Sequence, residues 1–385
     1  MFDSAVIGGG LAGCLAAITL AQQNHRVVLL EAKPYPHHKV CGEFLSPECL
    51  PLLAEIGFRP ILEQLKPITI RKVRITAPDG SQWRAQFPSE ALSISRYALD
   101  SALASYAKEM GVAVHEGVRV TEIKGALAQG FSLSTRGERG ESSFQAASVI
   151  AAHGKRSNLD RALKRPFLQQ NTSFYLGLKR HFNGPALGDQ LDLHVFPGGY
   201  CGMSDVEGGK TNVCLLVQQQ VFQQSFTPGR SQIEQFIDWM GRQNEYLGDW
   251  LSKATPAADE WISIGQVPLG SKSPLEGDIL MAGDSAGMVA PLAGDGMTMA
   301  LHSGKLAAHW IDRYLTHQLS AQELKQIYAR QWRSTFSARI RLTRLLHSVI
   351  LRPALLSPSL RLLNLFPALG DFLVMQTRDL RLIER

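Results

Sequence analysis

Gly8, Gly10 and Gly13 fall in the run VIGGGLAG, a GxGxxG arrangement set between an apolar stretch, FDSAVI, and a small-residue stretch, LAGCLAAITLAQQN. That spacing suits phosphate chemistry. The first glycine permits a tight turn, the second lets a pyrophosphate approach the backbone, and the third lets a helix pack closely on a sheet. A helix starting at such a turn offers unpaired amides and the positive end of its dipole to an anion. Glu31 closes the next apolar stretch, HRVVLLE, where a carboxylate can accept from both hydroxyls of a ribose. Strand before, helix after and acid beyond predict a dinucleotide-binding βαβ unit. No second GxGxxG follows a strand, so no separate domain for a pyridine nucleotide is expected.

A second constellation lies far along the chain. GDSAGMVAPLAGDGM, residues 283–297, follows the apolar run DILMA. Asp284, at the C-terminal end of a strand, can accept from a sugar-alcohol hydroxyl, and the loop through Gly294 and Gly296 would aim a helix N-terminus beyond it. A flavin presents its ribityl chain and electron-rich pyrimidine edge to such groups, which selects FAD over FMN or NAD as the bound cofactor. The competing reading of Gly283-Asp284 is a helix cap.

Together the two glycine motifs resemble the FAD-dependent monooxygenase superfamily built on the para-hydroxybenzoate hydroxylase fold, closest to its geranylgeranyl-reductase-like and flavin-halogenase branches. Further matches cover nearly the whole chain. KVCGEFLSPE (39–48) resembles the segment that lies beside the flavin in those branches, which implies that Cys41 and Glu43 stand near the ring. SRYALDSAL resembles the helix whose arginine, here Arg96, contacts FAD. IAAHGKRSNLDR and LHVFPGGYCG resemble the family's DG segment and substrate strand. Three departures matter. His153 stands where the hydroxylases place Asp, Asp192 and His194 replace aromatic residues of the substrate strand, and no His follows the GD pair. The missing aromatics, with no assignable catalytic Lys, disfavour a halogenase.

Candidates for chemistry beyond cofactor binding are few. Cys41 could shape or protonate at the flavin, although a buried Cys is more often packing. Glu43 could handle protons, with a helix-capping or surface carboxylate as the alternative. His194 falls on a strand expected to line the substrate cavity, where a neutral imidazole could donate or accept a proton, although a satisfied structural histidine is the more ordinary reading. His153 and Arg156 at a strand end are expected to orient the middle domain. No HxxxH pair or zinc-ligand spacing occurs, so a metal site is not expected.

The elements that must position these groups follow from pattern. The 385 residues, 45% hydrophobic and 19% charged, suit an ordinary globular chain of about two domains. Unbroken apolar strands alternating with helices predict a parallel sheet. Residues 68–90 read as a hairpin turning at Pro78-Asp79-Gly80, RYALDSALASYAKEMG as a helix closed by Gly111, VAVHEGVRVTEI as a strand pair, SVIAAHG as a buried strand, and 172–217 as sheet. The fold class is therefore α/β. Residues 1–70, 96–165 and 275–312 form a Rossmann-type FAD-binding domain, with 71–95 and 166–274 as an interleaved antiparallel β-rich substrate domain. Residues 313–385 form a helical C-terminal segment that Pro353, Pro358 and Pro367 break into short helices.

Charge sits at one end. Residues 330–385 hold ten Arg, no Lys and three acids, while the rest of the chain is nearly neutral, so a nucleic-acid partner is not expected. The tail's leucines, at helical spacing, predict helices packed over the substrate domain. An interfacial surface meeting anionic lipid is the alternative, which would add peripheral membrane contact. Five Cys without a CxxC pair, and no positively charged leader before the uncharged run 4–24, predict reduced thiols in the cytoplasm. The first expectation for function is a monooxygenase that hydroxylates or epoxidises a hydrophobic small molecule using FAD, NAD(P)H and oxygen. The alternatives are a geranylgeranyl-reductase-like enzyme that saturates isoprenoid double bonds, and a non-catalytic FAD-bound protein.

Overall fold

The computed structural model describes residues 1–138, 140–155, 157–169, 175–224, 229, 231–257, 260–267 and 269–376; Arg156 lies outside the described residues. The chain opens with β1 (Phe2–Ile7), α1 (Leu11–Gln22) and β2 (Val27–Leu30). Small residues let α1 lie close on its neighbours. A side chain at Gly13 would put its Cβ 1.9 Å from the Gly8 carbonyl oxygen, and one at Gly304 would stand 2.2 Å from that of Ala12.

β3 (Phe44–Leu45), β4 (Ile68–Thr76) and β5 (Gln82–Ser93) follow, then α2 (Arg96–Glu109), β6 (Ala113–His115), β7 (Arg119–Ala126), β8 (Gly130–Gly137) and β9 (Gly140–Ala151). Gly111, at φ +87°, ends the α2 region as expected. Next come β10 (Tyr175–Asn183), β11 (Gln190–Phe196), β12 (Gly199–Val206) and β13 (Lys210–Gln218).

Two sheets result. In the first, β6-β2-β1-β9 and the strand Ile279–Met281 run parallel, which is the dinucleotide-binding arrangement, while β7 and β8 extend the N-terminal half of β9 as an antiparallel flap. The segment 113–126 does form two strands, but β6 pairs with β2 and β7 with β8, not with each other. In the second sheet β10-β13-β12-β11-β4-β5-β3 is antiparallel except at the β4–β11 contact, which is parallel.

Three features differ from expectation. β3 lies within 1–70 yet joins the second sheet, because Phe44 and Leu45 pair with Ser93 and Leu92. Residues 166–274 are not sheet throughout: helices Gln232–Gln243 and Glu245–Ser252 cover the face of the second sheet that carries Phe196, Met203 and Val213. The C-terminal segment starts as one 30-residue helix. After α3 (Gly296–Leu315), α4 (Ala321–Ile350) buries Leu324, Tyr328, Trp332, Phe336 and Ile340, an i, i+4 series, in the core of the first sheet. α5 (Pro353–Leu365) and α6 (Pro367–Gln376) instead cover the second sheet. Pro353 and Pro367 mark helix starts, whereas Pro358 sits inside α5. At the sixth position of α5 it forgoes the one intrahelical bond that an amide there would give to the carbonyl of residue 354.

Candidate functional site

One cavity of about 790 Å³ runs between the two sheets, and every residue expected to bind cofactor except Gly13 lines it: Gly8, Gly10, Glu31, Arg96, Asp284, Gly294 and Gly296. Gly13 acts from behind, by letting α1 approach the turn. Gly8 adopts φ +99°, and a Cβ there would strike the Ala152 carbonyl oxygen at 2.4 Å, so only glycine closes this turn.

The N-terminus of α1 opens on the cavity at Gly10, with no capping side chain and no acid in its first turn. A Cβ on Gly10 would stand 3.5 Å from Arg96 Nη2 and 3.6 Å from Lys39 Nζ, so two cations face the turn across open space. Asp100 holds both in place: Arg96 donates from Nε at 2.6 Å and Nη2 at 2.7 Å, and Lys39 Nζ lies 2.9 Å away. Burial alone would raise the Asp100 carboxyl, but these cations outweigh it and bring its pKa down to about 2. Arg96 is itself fixed as the first residue of α2 by the Ser95 hydroxyl, which accepts from Ala98 N at 3.1 Å. Glu31 accepts from Gly9 N at 2.7 Å and Lys33 N at 3.1 Å, which aims its carboxylate into the cavity.

Asp284 sits in a single helical turn, Gly283–Ser285, directly after the strand Ile279–Met281, and its backbone oxygen accepts from Lys272 Nζ at 2.9 Å. It caps no α-helix, since α3 begins only at Gly296. The N-cap of α3 is the buried Asp295, whose side chain makes no capping hydrogen bond, and no acid follows in the first turn. Gly294, at φ +70°, makes the preceding bend; a Cβ there would meet the Phe44 ring at 2.6 Å.

These observations fit FAD. Bare helix ends at Gly10 and Gly296, cations opposite the first of them and carboxylates at Glu31 and Asp284 suit a pyrophosphate, a ribose and a ribityl-flavin end respectively. Bound there, FAD would supply two-electron redox chemistry.

Glu43 is the feature the sequence least prepared. It is wholly buried and its backbone is left-handed, φ +58°. Its Oε1 accepts from Arg96 N at 2.7 Å and takes the Lys179 ammonium, while Oε2 meets His181 Nε2 at 2.7 Å. Half of the capping alternative is thus realised, and the surface alternative is not. Burial would raise the Glu43 pKa, but the His181 hydrogen bond and Lys179 charge outweigh it and leave it below the ordinary carboxylate value. His38, Glu43 and His181 bring three ligand-type atoms within 4.8 Å, a grouping that no HxxxH search finds. The Lys179 ammonium on the same carboxylate opposes a divalent cation there.

Cys41 lines the cavity as expected, and its sulfur accepts from Glu43 N at 3.4 Å. His194 does not line it. Leu193 and Val195 point toward the tail-facing side of β11, so alternation turns His194 the other way, where Nδ1 meets the Thr76 hydroxyl at 2.8 Å. It is a satisfied structural histidine. His153 does border the cavity, and its Nε2 lies 2.9 Å from Asp160, which Arg165 also binds at 3.1 Å. Arg165 in turn donates to Ser285 O at 2.7 Å, so His153 ties its strand end to the Asp284 turn.

Sequence reasoning missed Lys39, Lys155, Lys179 and His181. Lys39 and Lys155 lie within the segments KVCGEFLSPE and IAAHGKRSNLDR, and Lys155 donates to Val40 O at 2.9 Å. The far wall of the cavity is apolar, formed by Leu191, Leu193, Leu216, Val267, Met288 and Leu292.

Residues 1–325 match the model of the FAD binding domain family. Similar proteins include the digeranylgeranylglycerophospholipid reductase of Methanosarcina mazei, 29% identical over 356 residues that cover 87% of this chain and 81% of that protein. The menaquinone reductase of Mycobacterium tuberculosis is 26% identical over 335 residues, covering 80% and 76%. The structure of a myxobacterial chondrochloren halogenase superposes with a TM-score of 0.76 at 22% identity, over 89% of this chain and 81% of that one, a likeness of fold. With the family model spanning most of the chain and its glycines, cations and carboxylates gathered on one cavity, this chain belongs to the FAD binding domain family and is an FAD-dependent oxidoreductase.

Proposed function

We propose that this enzyme reduces a carbon–carbon double bond in a hydrophobic, isoprenoid-type substrate. The observation that carries the reading is the apolar wall of Leu191, Leu193, Leu216, Val267, Met288 and Leu292, continuous with the end of the groove at Gly294 and Gly296. Such a wall excludes water and binds a chain by area rather than by charge. Two relatives that span most of the chain are named as reductases, which supports it.

Saturating an alkene takes a hydride on one carbon and a proton on the other. The hydride is what reduced FAD supplies. The proton is assigned to Cys41, whose thiol borders the cavity and whose loop is anchored by Glu43 to Lys179, His181 and Arg96 N. NAD(P)H is the proposed electron donor, bound transiently, since the chain carries only one dinucleotide turn.

The same apolar cavity would also suit oxygen-dependent hydroxylation or epoxidation of a hydrophobic molecule. Turnover with NADH or NADPH in an oxygen electrode separates the two. Product carrying two added hydrogens, with no oxygen uptake tied to its formation, supports the reductase. Uptake of one oxygen molecule per product, with an oxygen atom in that product, decides for the monooxygenase.

A further inference from the structure

α5 and α6 are apolar on two sides. Inward, Leu356, Leu360 and Val374 are buried with Trp83, Leu193 and Tyr200. Outward, Leu362, Leu365, Phe366, Leu369, Phe372 and Met375 remain open to solvent, with Leu365 at 75% and Phe366 at 58% exposure. So many large apolar side chains on adjoining short helices are uncommon on a soluble surface.

The charge around this face is one-sided. Residues 341–376 contain four Arg, no Lys and one acid, Asp371, and of these Arg361 is paired with Asp79. Arg341, Arg344 and Arg352 are exposed along the end of α4 and its junction with α5. Apolar side chains beside cations suit an anionic lipid surface, where insertion and Coulomb attraction add. A second copy of this chain fits less well, because a symmetric contact would set two positive rims against each other. No described helix is long and apolar enough to cross a membrane, so the contact would be interfacial.

The position also matters. The cluster beneath α5 and α6 includes Leu193, Tyr200, Val267 and Met288, which border the apolar part of the cavity. The inner side chains of α5 and α6 thus pack on the same apolar cluster that borders the cavity.

We propose that α5 and α6 dock this enzyme on anionic membrane surfaces, with Leu365, Phe366 and Phe372 inserted among the lipids and Arg341, Arg344 and Arg352 against the headgroups. The inference concerns where the enzyme sits and does not depend on which reaction it catalyses.

The test is flotation of the FAD-loaded protein with vesicles of phosphatidylcholine alone or of phosphatidylcholine mixed with phosphatidylglycerol, at low and high salt. Binding is expected to the mixed vesicles and to weaken with salt. Leu365→Ser/Phe366→Ser/Phe372→Ser, and separately Arg341→Glu/Arg344→Glu/Arg352→Glu, should each lower binding at least about tenfold while FAD content is retained. The charge-reversed variant guards against misfolding, since its residues are already exposed. No binding to mixed vesicles at low salt, or binding unchanged in both variants, overturns the proposal. So does sedimentation showing a stable dimer that the serine variant dissolves, which would assign the face to a second copy.

Discussion

Glu43 and His181 meet 2.7 Å apart with both side chains buried, joining the loop beside the cofactor groove to β10 of the second sheet. Lys179 binds the other carboxylate oxygen, so three ionisable groups, one from the loop before β3 and two from β10, share one buried site. The pairing fixes how the loop carrying Cys41 faces the cavity. An ion pair this buried gains little net stability over apolar packing, yet losing one partner is costly.

Glu43→Gln is therefore expected to destabilise the protein by about 3 to 5 kcal/mol, because the Lys179 ammonium loses its counter-charge inside the fold. Adding Lys179→Met should recover much of that loss. Denaturant titration of the two variants checks both statements; equal stability of Glu43→Gln and the parent would contradict the ion-pair account.

Gly10→Val and Gly13→Val should fail differently. A Cβ at Gly10 meets nothing closer than Arg96 Nη2 at 3.5 Å, so that variant should fold, yet its side chain occupies the phosphate path and bound FAD should fall at least about tenfold. A Cβ at Gly13 strikes the Gly8 carbonyl oxygen at 1.9 Å, so the second variant should lose stability even without flavin. Flavin absorbance per protein and thermal unfolding of the apo forms distinguish the outcomes.

Asp284→Ala should weaken FAD retention by about ten- to a hundredfold while leaving apo stability nearly unchanged, since a hydrogen bond to a charged acceptor is worth about 1.5 to 3 kcal/mol. The helix-cap alternative predicted an apo defect, and the start of α3 at Gly296 removes its basis. Calorimetric titration of apo protein with FAD reads the affinity directly.

Two buried groups set opposite expectations from ordinary titration. Asp100 is depressed from 3.8 to about 2, so its contribution is complete above 3.8 and disappears as pH falls toward 2, about 2 kcal/mol in all. His347, whose ring lies 5.1 Å from Tyr175 and 5.8 Å from Tyr200, is lowered from 6.5 to about 4 by burial. The folded state there refuses a proton that the unfolded chain accepts, so stability is full above 6.5 and declines as pH falls toward 4. Replacing His347 by Phe should flatten the melting temperature across pH 6.5 to 4. A slope unchanged in that variant would place the titrating group elsewhere.

The cofactor half of the site was legible because it is local. The turn at Gly8, Gly10 and Gly13, the acid at Glu31 and the helix at Gly296 each announce themselves within a few residues, and parallel pairing of β1, β2 and β9 brings them to one edge. The surroundings of Glu43 were not, because they depend on distant pairing. Lys179 and His181 are 136 and 138 residues from Glu43, and only the folding of β10 beside the Cys41 loop unites them. His194 shows the limit of strand reading: its place on β11 was evident, but which parity faces the cavity is decided by the packing of neighbouring layers. The tail misled in another way. Pro358 looks like a break, yet α5 runs through it, forgoing one intrahelical bond.

The most direct test of the central claim is to reduce the purified flavoprotein without oxygen and add a polyprenyl lipid, following the oxidised-flavin absorbance and the mass of the lipid. The account predicts that the flavin reoxidises anaerobically as the lipid gains two hydrogens, and that Cys41→Ala slows this step while FAD stays bound. Flavin that remains reduced until oxygen is admitted, with oxygen then found in the lipid, would contradict it.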